Sequence, residues 1–163
     1  MNFYGIRCGV LIDGTGKPPL KDVIVIVKNH HIARIERNSS LIDPNIPIID
    51  ARNCTIIPGL IDSHKHVMNC GGFGIEVGFN LHQLKRNLSE ISKGGVTSVL
   101  DLGSANIAPY LERLIGSKTR IYNAISILTC KGGYPQEYMP QKFYKMGSVI
   151  ECDGLDEIKR NVR

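Results

Sequence analysis

The sequence has no long apolar run. Its longest uninterrupted stretch, Val23 to Val27, falls far short of the roughly 20 residues that a membrane-spanning helix needs. The start, Met1 to Arg7, lacks a cationic segment followed by an apolar stretch, so no secretory signal and no membrane partner are expected. There is no C-x-x-C pair. The five cysteines (Cys8, Cys54, Cys70, Cys130 and Cys152) are odd in number and irregularly spaced, which argues against a disulfide framework or a cysteine zinc site and predicts a reducing, cytoplasmic setting. A clustered Lys/Arg stripe is missing too. The 20 basic and 15 acidic residues are spread along the chain for a net charge of +5, so the basicity reads as surface balance and no nucleic-acid partner is expected. What remains is an ordinary globular composition of 163 residues, 42% hydrophobic and 21% charged, with 17 Gly. That excludes disorder and collagen.

Residues 1–57 read as a small all-β domain. Phe3 to Ile12 predicts a strand, and Asp13-Gly14-Thr15-Gly16 supplies the turn chemistry. Asp22 to Lys28 and His31 to Arg37 are rich in Val and Ile and are joined by Asn29-His30, the pattern of a hairpin. Ile46 to Asp50 and Cys54 to Ile57 continue the β-rich character.

From Pro58 the pattern changes. Gly59 to Val67 reads as a buried strand breaking into a Gly-rich loop, Asn69 to Gly74. Asn80 with Gln83 forms a capping-box pattern, and Leu81, Leu84, Leu88 and Ile91 recur at helical spacing until Gly94-Gly95. Val96 to Leu102 predicts a second strand. Ile107, Leu111 and Leu114 suggest a short helix with Pro109 in its first turn, closed by Gly116. Arg120 to Leu128 predicts a third strand, Thr129 to Gly147 a loop, and Asp153 the cap of a last helix bearing Leu155, Ile158 and Val162. Such alternation of strands and helices is that of βα units around a parallel sheet. Lys85, Arg86, Lys93, Lys159, Arg160 and Arg163 fit the solvated faces of those helices.

The chemistry centres on His64-Lys65-His66 at the end of the strand that follows Pro58. Side chains at i and i+2 of a strand share a face, so the two imidazoles should lie side by side while Lys65 faces away. Two neutral nitrogen donors then converge where the loops of a parallel α/β fold assemble active sites, and zinc accepts imidazole readily. Taken alone, an H-x-H tripeptide also arises in turns and strand ends. Its company is more informative: an all-β opening, Pro-Gly before an apolar strand, an acid two positions ahead, and βα units directly after. Asp62 and Asp101 could orient a ligand, but fit strand-end acceptors for loop amides better. His30 and His31 fit a solvated turn, and His82 a first helical turn. Cys70 and Cys130 fit bystanders better than soft ligands.

Ile57-Pro58-Gly59-Leu60-Ile61-Asp62-Ser63-His64-Lys65-His66 resembles the first-strand signature of the metal-dependent amidohydrolase superfamily, P-G-h-I-D-x-H-x-H with h apolar. The opening strands are similar to the small β-sandwich that precedes the barrel in that family, and Gly94 to Gly103 to its second barrel strand. Leu128 to Tyr134 is similar to the third-strand loop of the prolidase-like and imidazolonepropionase-like branch, departing from it where Tyr134 replaces the more usual His. The resemblance implies a TIM barrel with one or two divalent metal ions, most simply zinc. It assigns His64 and His66 as first-strand ligands and Gly133 and Tyr134 as substrate-binding candidates. It also implies attack of a metal-bound hydroxide on a small amide, lactam or dipeptide-like substrate, a C–N bond other than an ordinary peptide bond. Cyclic amide hydrolysis and deamination are sister chemistries.

The family's further ligands, a fourth-strand Lys and His residues of the fifth and sixth strands, and its late-strand Asp acid/base, are expected beyond residue 163. A complete (β/α)₈ barrel takes about 250 residues, and residues 58–163 hold only three or four βα units. The expectation is therefore the amino-terminal part of such an enzyme, inactive alone, completed by a missing carboxyl-terminal half or associating as a homo-oligomer. A non-catalytic, partner-binding remnant is the competing reading.

Overall fold

The computed structural model describes residues 3–37, 39–67, 81–102, 112–113, 115–134, 136, 141–145 and 149–162. The loop from Asn69, Cys70, the Asn80 cap, Gly103 and the short helix expected around Ile107, Pro109, Leu111 and Leu114 lie outside the described residues. The chain divides into two compact units, Met1–Pro58 and Gly59–Arg163.

In the first unit, strands β1 (Phe3–Leu11), β2 (Leu20–Lys28), β3 (His31–Glu36) and β4 (Ile48–Ile56) form one sheet in the order β3-β2-β1-β4. The β1–β2 and β2–β3 pairs are antiparallel, whereas β1 and β4 run parallel. Asn29 makes the β2–β3 turn with φ of 56°, a left-handed conformation that asparagine tolerates better than other side chains with a Cβ. The core gathers Cys8, Leu11, Val23, Val25 and Val27, with Tyr4, Leu20 and Ile56 against it. Ile46 to Asp50 and Cys54 to Ile57, expected as two strands, are one: β4 runs through Arg52, and it takes up the irregularity itself, advancing from Ala51 to Thr55 while β1 advances only from Cys8 to Val10.

In the second unit, β5 (Leu60–Lys65), β6 (Val96–Asp101) and β7 (Arg120–Asn123) form a parallel sheet in that order. The helix α1 (Leu81–Lys93) lies between β5 and β6 in sequence. Its Leu84 and Leu88 are buried with Val67, Val99 and Ile121, so one face of the sheet is covered by the helix. Gly94 and Gly95 stop α1: the Gly94 amide donates to the Glu90 carbonyl, and Gly95 takes φ of 84°. Gly59 precedes β5 because a Cβ there would run into the Thr97 side chain at the start of β6.

Three expectations are corrected. Arg120 to Leu128 is not one strand: β7 stops at Asn123, whose Oδ1 accepts the Ile125 amide, and Ile125 sits at φ of 68° before β8 (Ile127–Cys130) begins. A β-branched residue in the left-handed region cannot continue a ladder. After the loop and a short helix α2 (Gln141–Lys145), a strand unforeseen from the sequence, β9 (Val149–Cys152), pairs in parallel with β8 as a two-stranded sheet. Finally, Asp153 is not the cap of the last helix, α3 (Leu155–Asn161). Gly154 occupies that position without a side-chain cap, and the Asp153 amide instead donates to the Glu157 carboxylate. Among the described residues no helix is long and apolar enough to cross a membrane.

Candidate functional site

The carboxyl ends of β5, β6 and β7 carry a row of paired residues, Lys65 beside Asp101 beside Asn123. Asp101 is fully buried there. The backbone stitches the row onward: the Leu102 amide donates to the Lys65 carbonyl and the Ala124 amide to the Asp101 carbonyl. His64 and His66 flank Lys65, with His66 just past the strand end.

Simple alternation does not describe β5. Its pairing with β6 shifts between Asp62 and Lys65, so one extra residue is accommodated in a bulge at 63–64. Asp62 builds this bulge, its Oδ1 accepting the His64 amide at 3.2 Å while its Oδ2 lies 3.9 Å from Lys65 Nζ. Asp62 pairs with Val99 and Lys65 with Asp101, two residues on one face of β6, and Val67 joins the core beneath α1. Lys65 and Val67 thus belong to the helix-covered side, and alternation past the bulge leaves His64 and His66 on the other.

On that side the two imidazole rings lie 5.7 Å apart between centroids with an interplanar angle of 82°. With Zn–N of about 2.0–2.1 Å and a ring nitrogen about 1.1 Å from its centroid, two rings sharing one ion have centroids no more than about 6.4 Å apart. The separation of the pair lies inside that limit. Among the described residues no three of His, Cys, Asp and Glu come together as a metal-holding group.

The strand that carries the pair is less buried than expected. Leu60 is 49% and Ile61 74% exposed; among the described residues β5 is the edge of its sheet and α1 covers one face. Ile61 pairs with Ser98, and Tyr122 with Leu100, so both apolar side chains stand on the face of the histidines.

Gly133 and Tyr134, the substrate-binding candidates, follow β8, which pairs with β9 rather than with β7 among the described residues. The Gly133 amide donates to the Cys130 carbonyl and Gly132 adopts φ of 71°, making a tight turn that leaves Tyr134 73% exposed. His31 and His82 are exposed at the hairpin and in the first turn of α1. Cys8, Cys54, Cys130 and Cys152 carry no disulfide. Sequence reasoning missed Asn87, a buried amide on α1 whose Nδ2 donates to the Val67 carbonyl at 2.8 Å and whose Oδ1 accepts from Gln83 Nε2 at 2.7 Å. A polar residue one position from the Leu84–Leu88 stripe was the available signal.

No family model matches the chain. An imidazolonepropionase from Pseudoalteromonas atlantica is 27% identical over 120 residues, which cover 70% of this chain and 28% of that protein. Among solved structures, a Xaa-Pro dipeptidase with methionine bound in its active site superposes with a TM-score of 0.73 at 22% identity, covering 99% of this chain and 44% of its own. An amidohydrolase superposes with a TM-score of 0.67 at 22% identity over 99% of this chain and 43% of its own. The chain thus spans between about a quarter and under half the length of these relatives. Signature strand, parallel βα arrangement and relatives point the same way: the chain is similar to proteins of the amidohydrolase class. Its likeness is in sequence to the imidazolonepropionase and in fold to the Xaa-Pro dipeptidase.

Proposed function

We propose that this chain carries the first-strand metal ligands of a hydrolase that cleaves a C–N bond other than an ordinary peptide bond, or a small dipeptide-like amide. The observation that carries the reading is the pair His64 and His66, ring centroids 5.7 Å apart at the carboxyl end of a parallel strand. A divalent cation, zinc by the all-nitrogen donor pair, would supply Lewis-acid polarisation of the substrate carbonyl and ready access to a nucleophilic water at neutral pH. His64 and His66 hold it as neutral donors, and Asp62 holds the backbone of His64 in place through its amide. Two protein donors are fewer than the three typical of catalytic zinc. The reading therefore calls for further donors and an acid/base carboxylate besides this pair.

The fold reading supports this placement. Parallel β5, β6 and β7 with α1 on one face are the pattern of a (β/α)₈ barrel in its first units. In the first unit Val23 through Val27 are all buried, so both faces of β2 are covered, as in a small sandwich. Cytoplasmic residence is part of the proposal, resting on the odd number and irregular spacing of the cysteines. A small amide, a cyclic amide or a deaminase substrate would suit the chemistry; Gly133 and Tyr134 are retained as candidate contacts for it.

A second reading, a non-catalytic remnant that binds a partner, is favoured by one observation: Ile61 and Tyr122 stand exposed on the histidine face. Cobalt or zinc titration of the wild-type chain against His64→Ala and His66→Ala tests the first reading. The expected result is one equivalent bound by the wild type and loss of that binding in either variant. Equal binding by all three proteins would overturn it.

A further inference from the structure

We propose that Asn87 of α1 is a positioning residue for His66, acting through the carbonyl of Val67; the inference rests on the reading of His64 and His66 as a metal pair. Asn87 is 6% exposed and lies beside Leu84 and Leu88, which are buried against Val67, Val99 and Ile121. A buried amide is costly unless its donors and acceptor are met. Here they are met in a specific direction. Asn87 Oδ1 accepts from Gln83 Nε2 at 2.7 Å, one turn earlier on the same helix, which turns the Nδ2 group outward to the Val67 carbonyl at 2.8 Å, 20 residues away in sequence. Reversing the amide would set oxygen against the carbonyl oxygen and nitrogen against the Gln83 donor.

The acceptor is what makes this contact more than a core filler. β5 ends at Lys65, so the backbone of His66 and Val67 no longer belongs to the strand ladder. The carbonyl of Lys65 is taken by the Leu102 amide at 2.9 Å, and the carbonyl of Val67 by Asn87. His66 is bracketed by these two bonds, one from β6 and one from α1. With both neighbouring carbonyls bonded and the Val67 side chain buried, the backbone around His66 is restrained where its ring meets that of His64 edge-on, 5.7 Å between centroids. His64 has its own fixing bond, from its amide to Asp62. Each histidine of the pair is therefore held by a different polar side chain. Groups that orient metal ligands in this way typically change affinity 10–100-fold when removed.

Asn87→Leu keeps the helix and the volume but removes the donor, and Gln83→Leu keeps the donor but releases its orientation. Both are compared with wild type and with His64→Ala and His66→Ala in the 163-residue chain. The readouts are cobalt(II) affinity and visible spectrum, and, without metal, the relaxation of the His66 ring and of the Leu88 and Val99 methyl groups by NMR. The expected result for Asn87→Leu is a loss of cobalt affinity of about tenfold and a mobile His66 ring, with Leu88 and Val99 as ordered as in wild type. Gln83→Leu should shift the same readouts in the same direction by less, and it carries the test if Asn87→Leu does not fold. Wild-type cobalt affinity and wild-type His66 relaxation in the folded variant would overturn the proposal. So would loosening of Leu88 and Val99 equal to that of His66, the mark of a general packing role. If His64→Ala and His66→Ala bind cobalt as wild type does, the metal reading fails, and the His66 relaxation alone decides the role of Asn87.

Discussion

Asp62 and Lys65 stand on the same side of β5, Oδ2 to Nζ 3.9 Å, although three positions separate them in a strand whose side chains alternate every two. An odd spacing shares a face only across a bulge, and the register shift between these residues is that bulge. Its effect is to turn Lys65 toward the helix side while both histidines keep the other. Since the Asp62 carboxylate holds the His64 amide at 3.2 Å, Asp62→Ala should lower cobalt affinity by about tenfold. Asp62→Asn, which keeps the Oδ1 acceptor, should stay near wild type. The carboxylate is part-exposed, so the melting temperature should move little in either variant. Unchanged affinity in Asp62→Ala would remove Asp62 from the site.

The scaffold beneath the histidines depends on α1. Leu88 is 2% exposed and is buried with Val67, Val99 and Ile121, whereas Leu81 on the same helix is 41% exposed. Truncating a buried leucine loses its transfer free energy and leaves a cavity, so Leu88→Ala should cost about 2–5 kcal/mol. Leu81→Ala should stay within roughly 0.5 kcal/mol of wild type. Urea unfolding of the two variants measures the contrast, and equal losses would contradict the packing of α1 on the sheet.

Much of this architecture was legible in the residues. Asn29-His30 marks the hairpin, and the leucine spacing up to Gly94-Gly95 marks α1, since turn chemistry and helical period are local signals. The His64–His66 pairing followed from two-residue spacing, yet the bulge that sets it did not, because register is decided by β6 rather than by β5. The break after Asn123 was hidden because Ile recurs on both sides of it; the Asn123 side chain takes the Ile125 amide where the strand ends. β9 is four residues long and owes its existence to β8, a non-local pairing that no local pattern announces. Asn87 drew no expectation because the carbonyl it meets, that of Val67, lies 20 residues away.

Asp50 offers a test by pH. Its carboxylate accepts from the Arg52 guanidinium, Nη2 to Oδ2 2.6 Å, and from the Arg52 amide, and these bonds hold its pKa at about 2 against an ordinary 3.8. The folded form therefore binds its proton less readily than the unfolded form. The stability it contributes is complete above the unfolded value and is lost as pH falls through the folded one. Both side chains are exposed, so the effect on global stability should be small and salt-screened. The direct measurement is carboxyl titration by NMR: a midpoint near 2 in wild type, rising toward 3.8 in Arg52→Met. The same midpoint in both proteins would exclude Arg52 as the cause.

The histidine face of the second unit should also govern solution behaviour. α1 covers the opposite face through Leu84 and Leu88, while Ile61 is 74% and Tyr122 55% exposed beside the pair. Exposed apolar side chains on an open sheet, with β5 at its edge, favour association with whatever presents a matching surface. The 163-residue chain should accordingly self-associate as its concentration rises, and Ile61→Lys combined with Tyr122→Lys should shift it toward monomer without altering its circular dichroism. Placing charge there opposes burial of the face but leaves the Leu84–Leu88–Val99 core on the other side untouched. Sedimentation equilibrium across a wide concentration range separates the cases. A wild-type chain that stays monomeric throughout would show that the face is content in water, and a double variant that associates as strongly as wild type would place the contact elsewhere on the molecule.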